Sequence, residues 1–164
     1  MKKIVLVMLL MAMVLTACGD TGKSEPVTKE YTYSDDSSEA EGLAYHEKWT
    51  IEGLDDVLYK TSVVYTYTFD DLDAWKESIE ETKASLDSEI KELQGPFGSP
   101  YITIEYKMDG NSLIATEITD YKTASDDGKN VDGGIDSGLM TSEEYYSVEK
   151  VCEQLENAGY TLVD

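Results

Sequence analysis

At Asp70 the spacing of apolar residues changes from two to 3.6, and this switch limits the folds the chain can adopt. Before it, YHEKWTIE (45–52) alternates, with Tyr45, Trp49 and Ile51 on one face and His46, Lys48, Thr50 and Glu52 on the other. VLYKTSVVYTYTF (57–69) is rich in β-branched and aromatic residues and places Tyr59, Val63, Tyr65, Tyr67 and Phe69 on one side. Such alternation marks half-buried strands. The turn residues Gly53 to Asp56 make the two runs a hairpin. After the switch, Leu72, Trp75, Ile79, Leu86, Ile90 and Leu93 recur at helical spacing. Asp70 or Asp71 supplies an N-cap, Asp73 suits the first turn, and Gly95-Pro96 ends the helix.

A second pair of alternating runs follows. YITIEYKM (101–108) and SLIATEITDY (112–121) flank Asp109-Gly110-Asn111, a strong hairpin signal. Ile102, Ile104 and Tyr106 are expected to face the core, met by Ile114 and Ile118 from the returning strand. The glycine-rich stretch 123–140 reads as a loop. Thr141-Ser142-Glu143-Glu144 then has the capping-box spacing and predicts the start of a last helix. That helix runs to about Ala158, turns Tyr145, Val148, Val151, Cys152 and Leu155 inward, and has Gly159 at C′. Thr161 to Val163 can add a short edge strand. The expected architecture is α+β: an antiparallel sheet built from two β-hairpins with two helices packed on it, in ββα-ββ-α order.

The N-terminus, MKKIVLVMLLMAMVLTAC, does not belong to that domain. Lys2 and Lys3 precede twelve apolar residues, Ile4 to Leu15, too few for the ~20 that span a bilayer. They fit the h-region of a secretory signal peptide. Leu15-Thr16-Ala17-Cys18 resembles the lipobox of bacterial lipoproteins, in which the thiol is diacylglycerol-linked, the chain is cut before the cysteine, and the new amine is often acylated. The expected organisation is a signal peptide over 1–17, then a lipidated Cys18 and flexible acidic linker over 18–42, then a single α+β domain over 43–164. Two or more acyl chains anchor stably where one does not. Cys18 is thus the membrane tether and membrane lipid its partner, with the mature chain on the extracytoplasmic side.

From Cys18 onward, 34 acidic side chains stand against eleven lysines, a charge of −23, and the chain has no arginine. Nucleic acid is excluded as a partner, because neutralising phosphates needs a basic surface. An arginine fork for carboxylate or phosphate is excluded too. A flexible linker of about 24 residues spans roughly 25–30 Å, some three Debye lengths at physiological salt. It would hold the acidic domain clear of an anionic bilayer. With Cys18 committed to lipid, Cys152 is left single, which rules out an intrachain disulfide framework.

The C-terminal stretch SVEKVCEQLENAGYTLVD, the strand pair ITIEYKMDGNSLIATEITDYK and the long helix before it resemble the YehR-like family of small bacterial lipoproteins. That family closes on a helix with a Leu-Glu-x-x-Gly-aromatic ending, here Leu155-Glu156-Asn157-Ala158-Gly159-Tyr160. The likeness covers roughly residues 45–164. It implies an antiparallel sheet with helices packed on it and carries no catalytic residue over.

No catalytic, cofactor-binding or metal residue is assigned from the sequence. His46, the single histidine, lies on the polar side of its strand, and no G-x-S-x-G elbow accompanies it. Zinc would need more His or Cys ligands than His46 and Cys152. In the loop from Gly128 to Asp136, Gly133 at EF-hand position 6 puts Asn130 and Asp132 at positions 3 and 5 and Ile135 at position 8. Gly128 and Leu139 then fall where the first ligand and the bidentate glutamate belong, so a flexible acidic loop is expected. Glu77, Glu80, Glu81 and Asp87 with Lys76, Lys83 and Lys91 read as a solvated helix face, supported by an Asp87–Lys91 pair. The tyrosines read as core and sheet-surface residues, with ligand binding through their rings as a further use. The resulting expectation is a membrane-anchored lipoprotein with a non-catalytic binding or structural role at the cell envelope. The alternatives are an envelope hydrolase using a carboxylate pair and a weak divalent-cation-responsive module.

Overall fold

The computed structural model describes residues 25–35, 42–96, 98–129, 131 and 145–163. Its strands are β1 (Pro26–Asp35), β2 (Leu43–Leu54), β3 (Val57–Phe69), β4 (Ile102–Asp109), β5 (Ser112–Asp120) and β6 (Thr161–Leu162). They form one sheet in the order β4-β5-β3-β2-β1-β6, with every neighbouring pair antiparallel. Among the described residues three helices accompany it: α1 (Lys76–Leu93), α2 (Tyr121–Asp126) and α3 (Val148–Asn157). The class is α+β, but the sheet has six strands and the order is richer than ββα-ββ-α.

The first correction concerns the expected linker. Pro26–Asp35 is not a free tether but an inner strand, paired with β2 on one side and β6 on the other. Tyr31 explains why: it is only 1% exposed, packs with Trp49 and Val151, and donates its hydroxyl to Glu156 at 3.0 Å. In PVTKEYTYSD the apolar phase, Val27, Tyr31 and Tyr33, is diluted by charges. Overall composition therefore hides a strand that alternation supports. The domain begins by Glu25, whose N–H donates to Asp55 Oδ1 at 2.8 Å.

Register decides which side chains share a face. Tyr31 faces Trp49, Trp49 faces Val63, and Tyr67 faces Leu113. This face carries the core. Val148, Val151 and Leu155 of α3 pack on Tyr31, Trp49, Ile51 and Val63. Ile79 of α1 packs on Phe69 and Leu113. The opposite face bears Thr50, Ser62, Thr66 and Thr116 with the ion pairs Lys48–Glu30 at 2.8 Å and Lys60–Glu52 at 3.4 Å. Among the described residues no helix covers it. Ile114 and Ile118 belong to this open face, not to the core as expected, because the two-residue turn at Gly110-Asn111 pairs Asp109 with Ser112 and sends Leu113 and Ala115 inward.

The β2–β3 turn departs from simple alternation. Gly53 pairs with Leu58 and Glu52 with Lys60, leaving Tyr59 as the extra residue of a bulge. Tyr59 therefore leaves the face expected for it, and Leu58 takes the buried place. A Cβ on Gly53 would stand 2.6 Å from both Val148 Cγ2 and the Val57 carbonyl oxygen. Only glycine lets α3 approach the sheet there.

Helix boundaries shift for related reasons. The Asp71 carboxylate accepts from the N–H groups of Asp73 and Ala74 at 2.9 and 3.2 Å, capping a turn that precedes α1. Leu72 sits in that turn and is 41% exposed rather than core-facing. Where a loop was expected, Asp120 caps α2 by accepting from Thr123 N and Thr123 Oγ1 at 2.8 and 2.7 Å. Thr141 to Glu144, the expected capping box, lie outside the described residues. The N-cap of α3 is Ser147, which also bridges to Val57, so Tyr145 precedes the helix. At the other end Gly159 takes φ +93°, and Tyr160 N returns to the Leu155 carbonyl at 3.0 Å.

Two outcomes follow for stability. A chain starting at residue 43 should unfold at clearly lower urea than one starting at residue 25, since it lacks the strand that buries Tyr31; equal midpoints would contradict the β1 assignment. Gly53→Ala should cost about 1–3 kcal/mol through overpacking against Val148, measured in the same titration.

Candidate functional site

Between α1 and the sheet runs a groove of about 250 Å³. Its floor is the helix-covered face of β3 and β5, where Tyr65 and Tyr67 stand beside Ala115 and Glu117. Its wall is α1, from which Leu86 and Glu89 reach in. Leu86 and Glu89 are three residues apart, and such spacing puts both on one side of a helix.

Glu117 is the unusual group. It is half-buried on the apolar phase of β5, and burial together with the Glu89 charge pushes its carboxyl above the ordinary range. Neither Glu117 nor Glu89 forms an ion pair with a lysine among the described residues. Tyr65 senses two carboxylates: burial first, then Glu117 and Glu47, hold its phenol far above the ordinary value.

Glu47, the second carboxylate on this face, has a different environment. It is 7% exposed, and its oxygens accept from Tyr45 Oη at 2.5 Å, Tyr160 Oη at 2.7 Å and the Trp49 indole N–H. Rings surround it, with Tyr33 5.3 Å and Trp49 6.4 Å from Tyr160, and Tyr45 5.0 Å from Tyr67. Burial, followed by hydrogen bonding to Glu47, pushes the phenols of Tyr45 and Tyr160 upward. Three donors on one carboxylate make Glu47 an anchor for the aromatic cluster. Glu47, Glu89 and Glu117 were not singled out from the sequence. The available signal was an acid standing in the apolar phase of an alternating strand, as at Glu47 between Tyr45 and Trp49 and at Glu117 two residues beyond Ala115.

The residues that the sequence does single out fall elsewhere. Cys18 and residues 1–17, where a signal peptide is expected, lie outside the described residues, as do Asn130, Asp132, Gly133, Ile135, Asp136 and Leu139. Of the acids at the start of that loop, Asp126 pairs with Lys122 at 2.6 Å and Asp127 accepts from Tyr101 Oη at 2.8 Å. His46 is exposed on the open face, with Nδ1 2.8 Å from Ser34 Oγ. Cys152 is half-buried rather than fully inward; burial raises its thiol pKa, and the neighbouring Tyr31 hydroxyl opposes the rise. On α1, Asp87 accepts from Tyr106 Oη at 2.8 Å instead of pairing with Lys91, and Lys83 pairs with Glu80 at 2.8 Å. Among the described residues no three His, Cys, Asp or Glu side chains converge on a metal position, and no helix is long and apolar enough to cross a membrane.

No protein-family model matches the chain. No curated protein matches it either. A Streptococcus pneumoniae TIGR4 protein solved by NMR is similar in fold, with 21% identity, a TM-score of 0.49, and coverage of 99% of this chain and 97% of that one.

The two buried-face carboxylates should respond oppositely to mutation. Glu47→Ala leaves the buried Trp49 indole N–H unsatisfied, at about 1–3 kcal/mol, and frees the part-buried Tyr45 and Tyr160 hydroxyls, so it should destabilise clearly. Glu117→Gln should raise the melting temperature by a few degrees at pH 7. Because the folded pKa of Glu117 is raised, its favourable contribution is complete below its unfolded value and is lost as pH rises through the folded one. The gain from Glu117→Gln should therefore shrink toward zero as pH falls below about 4.5. A thermal melt series from pH 3 to 7 checks both signs.

Proposed function

We propose that this chain is a lipid-anchored, extracytoplasmic binding protein of the cell envelope, tethered through Cys18 and related to the YehR-like lipoproteins. The groove between α1 and the sheet is its binding surface. The observation that carries this reading is the pairing of two tyrosine rings with two carboxylates that have no lysine partner among the described residues, in a recess open to solvent. Binding sites join apolar and aromatic walls to a few placed polar groups in this way. The tether supports the same reading, since the order of lysines, apolar run, small residues and cysteine in residues 1–18 suits export and lipidation.

One observation favours a second reading. Glu117, with its raised carboxyl pKa, facing Glu89 is the kind of carboxylate pair that a glycoside hydrolase uses. The groove volume of about 250 Å³ lies below the 300–1,000 Å³ usual for pockets that enclose a ligand. A hydrolase needs two carboxyls held at a fixed separation around an enclosed substrate, and Glu89 stands exposed at the edge of this groove, so binding is the preferred function. The divalent-cation reading has less support, because Asp126 and Asp127 are already engaged.

Cys18→Ala should abolish incorporation of labelled palmitate and release the protein from membranes, while the near-UV circular dichroism of its folded domain stays unchanged. Retention of that variant on membranes washed with high salt would refute the tether.

A further inference from the structure

We propose that the groove selects a small organic ammonium group, a cation carried on a short apolar body, through the carboxylates of Glu117 and Glu89 and the rings of Tyr65 and Tyr67. The inference deepens the binding reading above and rests on it. Four properties of the groove lead to it.

The first is charge. Glu117 and Glu89 both line the recess, repel one another, and have no lysine counter-ion among the described residues. An anion is excluded, and a neutral ligand leaves the repulsion in place. A cation relieves it and replaces the hydration that Glu117 lost on burial. The second is the walls. Tyr65 and Tyr67 line the recess, and a cation that meets an aromatic ring gains about 0.5–2 kcal/mol depending on desolvation. The third is the apolar part of the lining, Leu86 and Ala115, which suits methylene or methyl groups and is wasted on a hydrated metal ion. The fourth is size. A recess of about 250 Å³ has room for a butylammonium-sized group. A guanidinium or ammonium supplied by the protein itself is absent from the lining, so the site is complete in charge only when occupied.

The surroundings support the same conclusion. Glu47 lies on the same sheet face and adds to the negative potential felt at Tyr65 and Tyr67. Its own oxygens are taken by Tyr45, Trp49 and Tyr160, so it holds the rings in place and is not a further ligand. The net acidity of the chain draws cations toward it and raises their rate of encounter.

The test is a titration of the full chain in a maltoside detergent at pH 7 and constant ionic strength, followed by amide chemical shifts. The probes are n-butylammonium, its neutral isostere 1-butanol, and Nα-acetyl-lysine methylamide. Butylammonium should give saturable shifts centred on Tyr65, Tyr67, Ala115 and Glu117, with 1-butanol at least about tenfold weaker, the equivalent of 1.4 kcal/mol. Glu117→Gln, expected to fold at least as stably as the parent, should weaken butylammonium by a similar factor and leave 1-butanol unchanged. If the lysine derivative binds as well as butylammonium, the group recognised can be a lysine side chain. If it binds tenfold more weakly, the ligand is a free amine; both results keep the ammonium chemistry. Equal binding of 1-butanol would overturn the ammonium proposal and leave the groove as a binding surface. Absence of groove shifts with every probe would overturn both readings. Shifts spread evenly over the acidic surface and insensitive to Glu117→Gln would mean diffuse screening, and would also overturn the proposal.

Discussion

At the turn between β2 and β3, one oxygen of Asp56 accepts hydrogen bonds from Ser147 Oγ and Glu149 N, both at 2.8 Å. The Asp56 carbonyl accepts from Val148 N at 2.9 Å, and the Tyr146 carbonyl accepts from Leu58 N at 2.9 Å. A turn far away in sequence thus supplies the cap that the first turn of α3 needs, and the negative charge suits the helix N-terminus. The same turn holds the other end of the domain, since Asp55 exchanges hydrogen bonds with Glu25 at the start of β1. Gly53 and the bulge at Tyr59 create the space in which Val148 meets the sheet. Remove this joint and both β1 and α3 lose their register, and with them the cover over Tyr31, Trp49 and Ile51.

That joint also explains why the sheet has one wet face. With α1 and α3 both on the side of Tyr31 and Phe69, the polar phase of every strand is turned to the other side. The core phase then has to accommodate acids that the alternation places there. Glu47 and Glu117 show the two solutions. Glu47 lies where Tyr45, Trp49 and Tyr160 can all donate to it, and phenols in place of phenylalanines let the cluster be aromatic and polar at once. Glu117 faces α1, which lines the groove with Thr82, whose hydroxyl donates to the Ser78 carbonyl, with Leu86 and with another acid, Glu89. Desolvation and repulsion therefore act on Glu117 with little to offset them. A domain that tolerates this at a recess, while satisfying Glu47 fully, leaves its unmet electrostatic demand in one place.

Much of this architecture was legible in the sequence wherever periodicity was strong. The period switch near Asp70, the Asp-Gly hairpin and the Gly159 terminator each correspond to a local rule obeyed in the structure. What escaped has identifiable causes. β1 was diluted by charge, so a composition argument overrode a weak alternation at Val27, Tyr31 and Tyr33. Apolar character alone points Ile114 and Ile118 inward, whereas the two-residue turn fixes the opposite phase. Tyr59 was displaced by a bulge, which alternation cannot foresee. The start of α3 was set by Asp56, a partner 91 residues from Ser147. The groove was hidden for a further reason: its acids stand in apolar phases, and a reading that looks for solvated charge on outer faces passes over them.

The corrected start of the domain changes the physics of the proposed tether. A linker running to residue 42 would have allowed the domain to drift, whereas with Glu25 already bonded to the sheet, seven residue steps separate it from Cys18. Covalent geometry limits that span to about 25 Å, roughly three Debye lengths at physiological salt. The part of the domain nearest the anchor is the end that carries Glu25, Asp55 and Asp56. If Cys18 is lipidated as proposed, repulsion of that acidic end from an anionic bilayer decays within about one Debye length, so a fraction of the span suffices to clear the surface. The groove lies further along the sheet, on the flank of α1, lined by Tyr65, Tyr67, Ala115 and Glu117 and away from the β2–β3 turn. A cation proposed to bind there would then meet the groove apart from the end nearest the lipid.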